Sequence, residues 1–204
     1  MDKKIDEEME VEGYAIVFDQ STMLFEYEGV KYYEIISSKA LDNADLSDVS
    51  FKYNHSDQVL ILAATRNGSL KLKKDKYGLK IWARLANTSV GRDLREMIKE
   101  GLINKMSFAF SPGENQYYDS SNTTIVTKIK RLYDVSAVDM PAYRQTSLYI
   151  AGDEVGFLKR SIKGRFENST IKDWEAEEVA RIKEAIMAGE VEWFREQIKK
   201  QSRI

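Results

Sequence analysis

From Val11 to Ile150 the chain is written in short β-type runs separated by turn residues, and this limits its fold more than any other feature. EGYAIVF opens the pattern, and MLFEYEGVKYYEII (23–36) holds two aromatic and β-branched runs about Glu28-Gly29, which predicts a hairpin. VLILAA (59–64) reads as a continuous apolar strand. Asn67-Gly68 then offers the positive φ angles of a tight turn before SLKLK, where Leu70 and Leu72 alternate. A second turn at Asp75 to Gly78 leads into GLKIWARL, with Leu79, Ile81, Ala83 and Leu85 on one face. INKMSFAF (103–110), TIVTKI (124–129), LYDVSAV (132–138) and TSLYI (146–150) follow as strands, with a polar loop expected over 111–122. The clearest helix in this region is TSVGRDLREMIKEG. Thr88 or Ser89 can cap it, Val90, Leu94, Met97 and Ile98 form an apolar stripe, and Gly101 closes it. Many short strands with few helices predict a mainly β fold with helices (α+β): a small closed or nearly closed antiparallel β-barrel flanked by helices, rather than a parallel sheet.

The ends differ in composition. Residues 1–10 are charged and read as a flexible N-terminus, and 11–152 form the domain. Residues 153–168 are polar and contain glycine, as a linker would. From 169 to 204 an amphipathic helical tail is expected: Ser169 or Thr170 caps a helix bearing Ile171, Trp174, Val179, Ile182 and Ile186, and after Gly189 a second carries Val191, Phe194 and Ile198. Such a tail packs on the barrel as a helix pair, pairs two chains, or docks a scaffold protein.

With 43% hydrophobic residues among 204, a real core can form. A net charge of −2 with no basic stripe argues against nucleic acid as partner. No apolar run approaches the roughly 18–20 residues of a membrane span, and the start does not resemble a signal peptide, so a soluble cytoplasmic protein is expected. Cys is absent and there is one histidine, His55. Thiolate chemistry is therefore excluded, a zinc site would need carboxylates almost alone, and any imidazole proton shuttle must be His55. No metal and no cofactor are expected.

Three positions could carry chemistry. In KMSFAF, alternation puts Met106, Phe108 and Phe110 on one face and Ser107 with Ala109 on the other, so a hydroxyl stands between small neighbours on a rigid strand. An ordinary strand serine would look the same. His55 precedes an apolar strand, amid Asn54, Ser56 and Asp57, where a catalytic or a merely capping histidine could sit. Asp134 alternates with Leu132, Ser136 and Val138 on a face that would bury a carboxylate among apolar groups. Such a carboxylate needs a donor, which could be His55, a basic side chain or a backbone amide.

Five stretches, GYAIVF, NHSDQVLILAAT, SLKL with DKYGLKIWARL, TSVGRDLREMIKEGLINKMSFAF and LYDVSAVDMPAYRQTSL, occur in an order and spacing that resembles the HK97-type phage prohead (capsid maturation) protease family. That family is similar in fold to the herpesvirus maturation proteases. The resemblance covers about residues 11–150 and implies a serine endopeptidase with His55 as base, Ser107 as nucleophile and Asp134 as the acid. The acid is more often Glu in the family, which leaves Asp139 and Asp57 as alternatives. PAYRQT, with Arg144 and Gln145, is the candidate oxyanion region. Implied substrates are the major capsid protein, its scaffolding segment and the protease's own terminal regions, inside the assembling prohead in the bacterial cytoplasm; the exposed, charged stretch between Asp153 and Ser169 is where a self-cut is expected, since proteolysis favours flexible backbone. Self-association, as a dimer, is expected by analogy. Two other readings are a non-catalytic capsid assembly or scaffolding protein on the same fold, and an esterase or amidase using the same pair of side chains on small molecules.

Overall fold

A computed structural model describes residues 9–154, 156 and 157. The chain divides into two units, Met1–Ala151 and Gly152–Ile204. The expected linker beyond residue 157 and the whole of the helical tail lie outside the described residues. So does the expected flexible N-terminus except for Met9 and Glu10, which are in the fold: Met9 is buried, and its carbonyl accepts the Leu85 N–H at 2.9 Å.

Two sheets enclose the core of the first unit. The first holds β1 (Glu10–Val17), β6 (Leu70–Lys74), β7 (Gly78–Arg84) and β10 (Ser147–Ile150) in the antiparallel order β10-β1-β7-β6. Alternation places Val11, Leu79, Ile81, Ala83 and Leu85 inward, as the sequence predicts. In the 75–78 turn Asp75 Oδ1 accepts the N–H groups of Tyr77 and Gly78 at 2.8 and 3.0 Å, an Asx-type closure.

The second sheet is built around a strand of 16 residues, β9 (Thr123–Val138). One edge of β9 pairs antiparallel with β8 (Lys105–Tyr118). The other pairs parallel with β3 (Val30–Ile36) near its start and with β4 (Ser50–Tyr53) near its end. Beyond these lie β2 (Thr22–Tyr27) and the two-residue β5 (Ala63–Ala64). The β2–β3 hairpin turns on Glu28 and Gly29, both at positive φ. The helix α1 (Ser89–Lys99) follows the first sheet. Thr88 Oγ1 caps it by accepting the Gly91 N–H at 3.1 Å, and Gly101, at φ 77°, comes just after it.

Several expectations are corrected. The sheets do not close into a barrel, and the second is mixed rather than antiparallel. Alternation fixes which face of a strand is inward but not which edges meet. Where β8 and β10 approach, the links include a backbone bond, Leu148 N–H to Asn104 O at 3.0 Å, and a side-chain clamp. In the clamp Thr146 Oγ1 accepts the Met106 N–H at 3.0 Å and lies 2.8 Å from Met106 O, so a side chain occupies groups that a closing strand would pair. The helices expected to flank the barrel reduce to α1 among the described residues of the first unit. Its buried face is Gly91, Leu94 and Ile98, while Val90 and Met97 are exposed. VLILAA is strand only at its last two residues, with Leu60 77% exposed. Thr65–Asn67 form a short 3-10 turn closed by Gly68 rather than a two-residue hairpin loop. The expected loop at 111–122 is mostly strand, as β8 runs to Tyr118 and only Asp119–Asn122 turn.

Candidate active site

Strand β9 presents the acid because its alternation changes phase. Ala109 opposes Asp134 but Phe110 opposes Leu132, so Tyr133 is an extra residue and β9 bulges there. Leu132, Val135 and Ala137 consequently all join the core, and Asp134 and Ser136 alternate with the latter two onto the other face. This corrects the expectation that Asp134 shares its face with Leu132. Ser107 opposes Ser136 across the β8–β9 ladder, and Lys52 opposes it on the β4 side. Directly opposed residues point to one face, with Cβ atoms about 4.5–5.5 Å apart. Ser107, Ala109, Asp134 and Ser136 therefore form a patch of short side chains on one face of the hairpin.

His55 enters this patch on a left-handed turn. Asn54 and His55 have φ of 49° and 52°, and the Ser56 N–H donates to Tyr53 O at 3.0 Å. Asn and His are among the residues that tolerate this region. The turn is tied to β9: Asn54 N–H donates to Ala137 O at 2.9 Å, and His55 N–H to Ser136 Oγ at 3.3 Å. His55 Nδ1 then lies 2.6 Å from Asp134 Oδ1, the His55 side chain being 35% exposed and that of Asp134 7%. Asp134 Oδ1 also accepts the Ser136 hydroxyl at 2.8 Å, and Ser136 Oγ is 3.3 Å from His55 Nδ1.

The predicted residues thus fall unequally. Asp134 and His55 are in contact, and Ser107 stands beside them through Ser136. No hydrogen bond joins the Ser107 hydroxyl to His55 among the described residues. Asp57 is turned to Lys52, with Nζ to Oδ1 at 2.6 Å; that bond holds the Asp57 carboxyl below the usual range and raises the Lys52 ammonium. Asp139 is exposed and accepts the Met140 N–H. Neither acid contacts the imidazole. Sequence reasoning placed Ser136 on the Asp134 face but gave it no part, since its contacts depend on registers that no local pattern encodes.

The segment 139–146 is fastened on two sides. Lys105 Nζ, two residues before Ser107, donates to Arg144 O and Thr146 O at 2.8 and 2.9 Å, and the Thr146 N–H closes a tight turn onto Tyr143 O. The Gln145 side chain is buried and donates to Thr22 Oγ1 at 2.8 Å, which directs it away from the patch and towards β2. Tyr143 packs on Phe108 with ring centroids 4.9 Å apart and hydrogen-bonds Glu34. Burial pushes the Glu34 carboxyl up, against the smaller opposite effect of that hydrogen bond, and pushes the Tyr143 phenol up as well. Among the described residues no group of acidic or histidine side chains could hold a metal ion, and no helix is long and apolar enough to cross a membrane.

No curated protein matches the chain. Among solved structures, the KSHV protease in complex with a hexapeptide phosphonate inhibitor is similar to it at 9% identity, covering 95% of this chain and 93% of that one. The TM-score is 0.43. The caudovirus prohead serine protease family, by contrast, matches residues 1–159, which include every residue of the patch, and the chain belongs to that family: it is a peptidase of phage capsid maturation.

Proposed function

We propose that the chain is a serine endopeptidase in which Ser107 is the nucleophile, His55 the general base and Asp134 the acid that orients it. The observation that carries this reading is the 2.6 Å contact between His55 Nδ1 and Asp134 Oδ1, on the face of the β8–β9 hairpin that bears Ser107. With Nδ1–H given to the carboxylate, Nε2 keeps its lone pair. Ser107 Oγ attacks a peptide carbonyl and its proton passes to Nε2; the tetrahedral adduct collapses, the same proton goes to the leaving amine, and an acyl-enzyme remains. Water repeats the sequence in reverse. The carboxylate stabilises the imidazolium that forms in each half.

The developing oxyanion needs N–H donors about 3 Å away. The turn Tyr143–Thr146 supports Arg144 and Gln145 in this part through their main-chain N–H groups, because Lys105 ties the carbonyls of Arg144 and Thr146 to the strand of Ser107. Substrates in this reading are the scaffolding segment of the major capsid protein and the enzyme's own chain between Asp153 and Ser169.

A fluorophosphonate probe tests the assignment, since it is attacked by an activated serine and needs no known cleavage site. Labelling confined to Ser107, and a loss of labelling and of cleavage by roughly four to six orders of magnitude in Ser107→Ala, are expected. Retained cleavage in purified Ser107→Ala protein refutes it. Intact mass spectra of the unmodified and Ser107→Ala chains read out self-processing, which an equally whole chain in both would remove.

A further inference from the structure

We infer that Ser136 is a positioning residue of this site, whose hydroxyl holds the His55 main chain and the Asp134 carboxylate so that ring and acid meet in the geometry that lets Nε2 take a proton from Ser107. The inference rests on the Ser107–His55–Asp134 reading above. Ser136 is fully buried, so it is no second nucleophile. Its Oγ touches three partners: it donates to Asp134 Oδ1 at 2.8 Å, accepts the His55 main-chain N–H at 3.3 Å, and lies 3.3 Å from His55 Nδ1.

These contacts decide where the protons sit. A hydroxyl has one hydrogen, and two acceptors compete for it: the carboxylate and, were it unprotonated, Nδ1. The bond to the carboxylate is shorter and charge-assisted, about twice as strong as a neutral one, so the hydrogen goes to Asp134. Nδ1 is then left with one way to approach Asp134 Oδ1 at 2.6 Å, as an N–H donor, and Nε2 is left bare. If the hydroxyl turned to Nδ1 instead, the ring proton would move to Nε2 and the base would be blocked. The same oxygen also steadies the main chain. His55 is held at φ 52°, a region disfavoured for a residue with a Cβ, and its N–H is answered by Ser136 Oγ. One side chain therefore sets the position of the ring and the rotamer of the acid, and the acid so placed fixes the tautomer.

The single histidine makes this testable without ambiguity, because every imidazole nitrogen signal of the full chain belongs to His55. Chains labelled with 15N-histidine in the Ser107→Ala background, which cannot cut themselves, are compared with and without Ser136→Ala. Fluorophosphonate labelling rates are measured in parallel with Ser107 intact. The Ser107→Ala chain should show the neutral ring almost wholly protonated on Nδ1, with one sharp low-field Nδ1–H proton signal. Adding Ser136→Ala should leave the proton on Nδ1 but shift and broaden that signal as the ring loosens from Asp134, and with Ser107 intact should slow labelling roughly 10- to 100-fold, the cost of a displaced catalytic group. Ser136→Thr, which keeps the hydroxyl, should restore the signal and the rate. An unchanged Nδ1–H signal in Ser136→Ala overturns the inference, even if labelling slows, since slowing alone would mark a packing role. Failure of the unmodified chain to label at Ser107 instead sinks the triad, and the positioning role with it, whereas equal labelling with and without Ser136→Ala sinks the positioning role alone.

Discussion

Replacing Asp134 by Asn removes a charge while keeping a shape, and the geometry sets how much activity should go. Both hydrogen bonds to the acid converge on one atom, Oδ1, from His55 Nδ1 and from Ser136 Oγ. An amide carbonyl oxygen in that position can accept both. The Ser136 hydroxyl, which already accepts the His55 main-chain N–H, has one hydrogen for the amide oxygen, and the expected loss is that of an amide in this orientation. The tautomer should therefore survive, and only the attraction between carboxylate and imidazolium is lost. Since His55 is about one-third exposed, an effective dielectric near 20 is appropriate, and unit charges about 4 Å apart then interact by about 4 kcal/mol. That is about a thousandfold in rate. Fluorophosphonate labelling time courses on Asp134→Asn, against the original chain and Ser107→Ala, measure it. A loss under tenfold would show that the carboxylate does not act on the ring during the reaction. A loss as deep as that of Ser107→Ala, with the ring proton moved to Nε2, would show that the amide flipped and that the hydrogen-bond assignment at Ser136 is wrong.

Two further predictions concern the fold. Because burial raises the Glu34 carboxyl, its ionisation costs stability that the protonated form does not; the favourable contribution is complete below the ordinary value of 4.5 and disappears as pH rises through the raised folded-state value. Glu34→Gln, which keeps an acceptor for Tyr143, should therefore be no more stable than the original chain below pH 4.5 and more stable near neutrality, as thermal melts across pH will show; a constant difference would contradict the linkage. A Cβ at Gly13 would lie 1.9 Å from Ser147 O on the neighbouring strand. Gly13→Ala should open the β1–β10 ladder and cost at least the roughly 1–3 kcal/mol of an overpacked core, read from urea unfolding, and an unaffected midpoint would count against the pairing.

What could be read from the sequence divides along a physical line. Face and turn were legible where they depend on neighbours in the chain: the inward set on β7, the Glu28-Gly29 hairpin, the Thr88 cap. Edges and registers were not. Polar, Gly-, Asn- and Ser-rich composition made 111–122 look like a loop, yet among the described residues β8 pairs only with β9, so Pro112 sits on an edge strand where a missing N–H costs little, and register shifts on either side absorb the irregularity. Apolar content misled at Leu60 and Ile61, which are exposed although their neighbour Leu62 is buried. In the site, the resemblance picked out Ser107, His55 and Asp134 by order along the chain. Ser136 escaped because its significance lies in standing opposite Ser107, a relation set by pairing across β8 and β9. The bulge at Tyr133 escaped likewise, and with it the true face of the acid.

The site is drawn from two very different separations along the chain. Ser107 and Asp134 belong to one hairpin, a comparatively local pairing, whereas His55 comes from much further upstream and is placed beside them by the parallel pairing of β4 with β9, a non-local contact of the kind associated with slower folding. A molecule with the hairpin formed but β4 undocked holds a hydroxyl and an acid with nothing to take a proton. On the proposed triad, cleavage by a folding chain would therefore wait on that long-range pairing and not on the hairpin alone.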